Sequence, residues 1–133
     1  NNISKFKKYG NYNEVHDECM FYWDEYGMDS KISFANALVK ENIFLSFCYV
    51  CGESSSENSC EIGIETFAGF KRKGHAETAC RETINELIKM GYDKLNWHCH
   101  TSNIGSSKTA LKLGFKKVEE THLAWIKKNI DKK

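Results

Sequence analysis

An excess of charge of either sign is missing from this sequence. Nineteen basic against eighteen acidic side chains leave a formal charge of +1 over 133 residues. No global field therefore recommends nucleic acid or an anionic membrane as partner, and any anion must be held by a local cluster. Long apolar runs are missing too. None approaches the ~18 residues of a membrane span, and no charged-then-apolar leader opens the chain, so a soluble, cytoplasmic protein is expected. Internal repeats and low-complexity tracts are absent as well. The cysteines Cys19, Cys48, Cys51, Cys60, Cys80 and Cys99 are scattered rather than framed, which favours free thiols in a reducing compartment over a disulfide scaffold. One spacing, Cys48-Tyr-Val-Cys51, could be read as a zinc or redox pair, but ordinary buried cysteines are favoured. It lies in an apolar run that reads as a strand, where residues three apart point to opposite faces and cannot share an ion without a turn.

What is present is a globular composition, with 41% hydrophobic and 13% aromatic residues, far from that of disordered chains. The length suits one domain over 1–133 with one core. The first residue is Asn rather than Met, so a fragment, or a chain whose start has been removed, is expected.

Periodicity orders the elements. Val15, Cys19, Tyr22, Trp23 and Tyr26 recur at helical spacing and predict a helix over Tyr12 to Tyr26, stopped near Gly27. Ile32 to Val39 and Ile43 to Cys51 read as two strands of a hairpin around Lys40-Glu41-Asn42. Gly52 to Ser59 reads as a polar loop, too short to open a second domain. Cys60 to Phe67 resumes strand character, with Ile62 and Ile64 on one face and Glu61, Gly63 and Glu65 on the other. Ala76, Ala79, Cys80, Thr83, Ile84, Leu87 and Ile88 trace a helical stripe between Gly74 and Met90, ended by Gly91. Lys94 to His100 is a strand, Ser102 or Asn103 starts a helix through Leu113, Gly114-Phe115 opens a further strand, and Thr121 to Lys127 makes a last one. The order predicts an α/β layer with a mixed sheet, in which the strands at Cys60 and Lys94 are joined by a helical crossover and run parallel.

A strand, a basic loop and a helix in succession bind phosphates, because a helix N-terminus offers unpaired N–H groups and a partial positive charge. Here the loop is Lys71-Arg72-Lys73-Gly74-His75-Ala76. Three cations precede the helix, Gly74 permits positive φ or close backbone approach, and small Ala76 leaves room for a diphosphate. The same turn also suits a solvated surface. Its spacing is neither G-x-x-x-x-G-K followed by Ser or Thr, nor G-x-G-x-x-G, which disfavours a nucleoside triphosphate loop and a dinucleotide fold.

This loop resembles the Arg/Gln-x-x-Gly-x-Gly/Ala pyrophosphate loop of the GNAT acetyltransferases, with Lys71 in the first position. Asn103 to Phe115 resembles the superfamily's Asn-then-helix segment ending in Lys-Leu-Gly-Phe. The run Glu61 to Thr66, the stretch Ala76-Glu77-Thr78-Ala79 and Trp97-His98-Cys99 extend the likeness over roughly residues 32–115, toward the zwittermicin-resistance-like branch. Members of that branch are longer at the N-terminus, so a GNAT acyl-CoA N-acyltransferase fold lacking an N-terminal part is implied.

The resemblance implies an acetyltransferase whose cosubstrate is acetyl-CoA and whose acceptor is a primary amine of a small molecule. The pantetheine arm would lie between splayed strands at Cys60 and Lys94, held by backbone groups of Ile64, Glu65, Thr66 and Phe67. The diphosphate would meet Lys71, Arg72, Lys73, Gly74, His75, Ala76, Glu77 and Thr78, with Asn103 and Ser106 as the far wall. Glu61 or Glu65 would take the ammonium proton, since partial burial raises a carboxylate toward neutral pH. Glu61 ranks first because its distance from the loop resembles that of the strand glutamate that serves as base in several family members. The tyrosine that many members use as acid is replaced by Ala110, so His98, Cys99 and His100 are spare candidates, or the thiolate leaves unaided. That replacement keeps open an acyl-CoA-binding module without turnover. A homodimer is a family habit, and no metal, nucleic acid or membrane partner is implied.

Overall fold

The computed structural model describes residues 2–25, 27–28, 31–71, 73–120 and 123–129. After a short 3-10 turn at Asn2–Phe6, helix α1 covers Tyr12–Met20 and continues as a π-helical turn over Phe21–Glu25. The predicted helix to Tyr26 thus changes pitch, and Tyr26 itself lies outside the described residues. Trp23 in this turn is buried, and its Nε1 donates to the Val50 carbonyl at 2.9 Å. The strands are β1 (Ala35–Lys40), β2 (Ile43–Ser54), β3 (Ser59–Thr66), β4 (Lys94–His100), β5 (Lys116–Glu120) and β6 (Leu123–Asn129). Helix α2 (His75–Lys89) crosses from β3 to β4, and α3 (Ile104–Lys112) follows β4.

Several boundaries differ from expectation, those of β1 and β2 for a local reason. β1 begins at Ala35 rather than Ile32 because Phe34 N–H turns back to the Ile32 carbonyl at 3.0 Å, leaving Ile32 in the core ahead of the strand. β2 runs through Glu53 and Ser54, which were expected in a loop. A register shift between Val50 and Gly52 lets the polar segment pair as Gly52 with Glu61 and Ser54 with Ser59, and backbone pairing leaves no trace in apolar periodicity. The last strand is shifted to Leu123–Asn129, with Thr121 outside the described residues.

The six strands form one mixed sheet in the order β1-β2-β3-β4-β6-β5. All neighbours are antiparallel except β3 and β4, the parallel pair that the crossover requires. On one face, α2 buries Ala79, Cys80, Thr83, Ile84 and Leu87 against the row Cys48, Val50, Ile62 and Leu95. On the other, α1 lays Val15 and Cys19 over Phe44, Phe47 and Tyr49. Cys48 and Cys51 therefore fall on opposite faces, one in each cluster. No described helix is long and apolar enough to cross a membrane.

Candidate functional site

The site begins where a ladder stops. β3 and β4 pair only at Ser59 with Lys94, Cys60 with Leu95 and Glu61 with Asn96. Both strands continue, to Thr66 and His100, without further pairing to each other, so they splay toward their C-terminal ends. The other edge of β3 stays bound to β2 as far as Thr66. Phe67 N–H donates to the Leu45 carbonyl at 3.1 Å. By the alternation of a strand, the backbone groups of Ile64 and Thr66 then face the gap, while those of Glu65 and Phe67 face β2. An extended chain of alternating amide polarity fits such an edge.

The gap opens onto the loop before α2. Gly74 is the N-cap in a left-handed conformation, φ 78°, with no side chain to cap the helix. Its carbonyl takes the first helical bond, from Thr78 N–H at 3.2 Å, and also the Thr78 hydroxyl at 3.1 Å. The N–H groups of His75, Ala76 and Glu77 therefore precede the helical ladder and point outward at the positive end of the dipole. Glu77, whose carboxylate would repel an anion there, is engaged by Arg81 at 2.7 Å one turn on. Lys71 and Lys73 are exposed beside the turn, and Arg72 lies outside the described residues. These features fit a diphosphate on the helix and an amide-bearing arm in the gap.

At the far wall, Asn103 caps α3 by accepting from Ser106 N–H at 3.1 Å, and the Ser106 hydroxyl accepts from Trp97 Nε1 at 3.0 Å. Ser106 thus joins α3 to β4, while Asn103 caps the helix beside it. Ala110 is fully buried in the core, so that position offers no proton donor.

On the α1 face of β3, the row Glu61, Gly63, Glu65 carries the two candidate bases. Burial raises the Glu65 carboxyl; nearby Lys71 opposes the shift and Glu18 of α1 adds to it. Glu61 faces β4, with Oε2 2.9 Å from His98 Nδ1, an ion pair whenever the imidazole is protonated. Between the two carboxylates lies the Tyr49 ring, whose hydroxyl donates to Glu18 at 2.6 Å. Gly63 makes this possible: a Cβ there would sit 2.6 Å from Tyr49 Cζ and 2.8 Å from its hydroxyl. The ring cannot swing aside freely, since Phe47 stacks on it at 5.3 Å and Tyr22 approaches at 5.6 Å. Gly63→Ala is therefore expected to destabilise the fold by about 1–3 kcal/mol through overpacking, read as a shift of the urea midpoint. An unchanged midpoint would mean that the ring has another place to go.

Sequence reasoning proposed Glu61 and His98 separately and missed their contact, as it missed Tyr49, Gly63, Cys51 and Glu18. Only the parallel register, in which His98 lies two residues beyond Glu61's partner Asn96, could have linked the pair. A second concavity, of about 630 Å³, lies between α1 and the β1–β2 hairpin, walled by Val15, Met20, Trp23, Phe34 and Phe44. Its walls are largely side chains of the α1-side core, with Asp24 and Ser33 among them, and it has neither the paired carboxylates nor the helix terminus of the gap. Among the described residues no group of three or more His, Cys, Asp or Glu is arranged to hold a metal.

Comparison with known proteins gives the family. The sequence matches the GNAT acetyltransferase family over residues 21–123, and the chain belongs to that family. It is 32% identical over 82 residues to the uncharacterized N-acetyltransferase YjdG of Bacillus subtilis, covering 58% of this chain and 49% of YjdG. The chain thus spans about half the length of that curated relative. Among solved structures, an N-acetyltransferase from Staphylococcus aureus superposes with a TM-score of 0.63 at 20% identity, covering 70% of this chain and 65% of that one. The ribosomal-protein-alanine N-acetyltransferase of Brucella melitensis gives 0.66 at 13% identity, over 88% and 78% of the two chains. The yncA protein of Salmonella typhimurium, solved with its cofactor acetyl-CoA, gives 0.63 at 14% identity, over 73% and 64%. At such identities the likeness is one of fold.

Proposed function

We propose that this chain transfers the acetyl group of acetyl-CoA directly to a primary amine of a small molecule, as one cytoplasmic domain over 1–133. The observation that carries the reading is the end of β3–β4 pairing at Glu61 and Asn96, directly ahead of a glycine turn and an uncapped helix. Ile64 and Thr66 would pair with the pantetheine amides. Lys71, Arg72 and Lys73, with the N–H groups from Gly74 to Glu77, would hold the diphosphate, Thr78 being committed through both its N–H and its hydroxyl to the Gly74 carbonyl, and Asn103 and Ser106 would border the arm. Acetyl-CoA, when bound, supplies an acetyl group activated as a thioester.

The chain's own part is the amine. An ammonium must lose a proton before its nitrogen can attack, and Glu61, or Glu65 with its raised carboxyl, is suited to take it. The new nitrogen–carbon bond forms as the carbon–sulfur bond breaks, and the second nitrogen proton ends on the departing sulfur. The buried Ala110 leaves the thiolate without the family's tyrosine, and its modest basicity lets it depart unaided. The finer kinship, with the zwittermicin-resistance-like branch, rests on Glu61 to Thr66, Ala76 to Ala79 and Trp97 to Cys99.

The test is a calorimetric titration with acetyl-CoA, followed by detection of free CoA thiol with four acceptors: an alkyl diamine, an aminoglycoside, an amino acid and a peptide amine. Saturable binding with amine-dependent thiol release is the expected result. Binding without release for any amine would favour the alternative, an acyl-CoA-binding module that has lost turnover. No binding by a folded chain would sink both.

A further inference from the structure

Glu61 is held more tightly than a solvated carboxylate needs to be. Its Oε2 lies 2.9 Å from His98 Nδ1 on β4. Cys51, at the register shift of β2, brings its thiol to 3.5 Å from the same oxygen and 3.6 Å from the Glu61 carbonyl. Burial, and then the Glu61 charge, push that thiol up, so it stays protonated and donates. Donors from two strands converge on one carboxylate oxygen, which leaves Oε1 for other work. Glu61 also lines a small cavity of about 230 Å³ with Asn96, whose Oδ1 is buried and has no hydrogen-bond partner among the described residues. A buried acceptor of that kind suits an incoming N–H donor.

We propose that His98 is a positioning residue for acyl transfer: with Cys51 it fixes Glu61 through Oε2, so that Oε1 takes the proton of an acceptor ammonium admitted beside Asn96. This rests on the transfer reading above and adds residues and an entry point to it. In the step itself one N–H bond of the ammonium breaks, its electron pair stays on nitrogen, and the proton binds Oε1. Glu61 returns that proton to water after the product leaves. The Nδ1 proton of His98 does not move. Its effect is orientation, and a displacement of about 1 Å at a reacting group can cost on the order of 100-fold in rate.

The experiment compares His98→Leu, His98→Asn, Glu61→Gln and the double variant Glu61→Gln/His98→Leu, using acetyl-CoA and the fastest of the four amines. His98→Leu, which keeps bulk but no donor, is expected to lower kcat by on the order of 10-fold to 100-fold. The KM for the amine and the Kd for acetyl-CoA should stay within about threefold. His98→Asn places an amide N–H near the position of Nδ1 and should recover most of the loss, which a merely structural histidine would not predict. The double variant should be no slower than Glu61→Gln alone, because a residue that acts through Glu61 has nothing left to act on. Losses that multiply, or a His98→Leu enzyme with normal kcat, overturn the proposal while the transfer reading stands. A wild-type chain that turns over none of the amines overturns both, so the two failures are told apart. Circular dichroism checks folding, and His98→Ala replaces the Leu variant if that one does not fold.

Discussion

Affinity for acetyl-CoA falls by about 100-fold or more, equivalent to ~2.7 kcal/mol, when Gly74 is replaced by Asp. Two effects add. Gly74 holds φ 78° at the N-cap, directly before the unpaired N–H groups of α2, and an aspartate there brings a negative charge to the place a diphosphate would occupy. Two unit charges about 5 Å apart repel by about 3 kcal/mol at the effective dielectric of a protein surface. The carboxylate also accepts N–H bonds as an N-cap and so competes for the same donors. The substitution strains the left-handed backbone and should cost some stability, but the chain should still fold, since nothing lies within 4 Å of a Cβ at Gly74 and Asp tolerates left-handed backbone better than most residues. Gly74→Asn separates charge from shape: it shares that tolerance without the charge, and should lose less than about tenfold. Calorimetric titration of the three chains decides the matter, with thermal unfolding as control. Equal affinity in all three would remove the phosphate site from this loop.

Trp97→Ala should cost about 4 kcal/mol, a large share of the ~5–15 kcal/mol that holds a typical domain together. The indole is 1% exposed and meets Phe115 edge-on at 5.4 Å. It also supplies the Nε1 donor to Ser106, so removal opens a cavity between β4 and α3 and leaves a hydroxyl without its partner. Trp97→Phe keeps the ring contact and loses the donor, and should retain most of the stability. Urea unfolding followed by circular dichroism reads both. A Trp97→Ala chain with the wild-type midpoint would show that α3 is not fastened to β4 through this residue.

How far the sequence could be read follows from the range of each interaction. The stripe Ala79, Cys80, Thr83, Ile84, Leu87 made α2 plain, because side chains one turn apart report a shared face. Alternation about Ile62 and Ile64 did the same for β3. Strand order beyond the crossover was not legible: β6 inserts between β4 and β5, and pairing across a sheet is a relation between distant segments that no local period encodes. The splay came only through resemblance, since Ile64 and Thr66 carry no mark of an unpaired edge. The Glu61–His98 contact needed register, and the Tyr49–Gly63 contact needed a glycine to be seen as space for a ring from another strand. The turn at Glu41 and Asn42, both with positive φ, was expected as a hairpin but not in its backbone form, which Glu41 does not advertise.

The brief parallel ladder between β3 and β4 has a mechanical side. A sheet whose midline carries only the pairs at Ser59, Cys60 and Glu61 is two three-stranded plates, β1-β2-β3 and β4-β6-β5, stitched along one short seam and bridged by α2. Each plate is antiparallel and well laddered; the joint between them is not. Any guest that lays its own amides along Ile64 and Thr66 lengthens that seam, so the molecule would owe part of its rigidity to what it carries. Under the proposed acyl transfer, stiffness would rise when the acyl donor is seated and fall when it leaves.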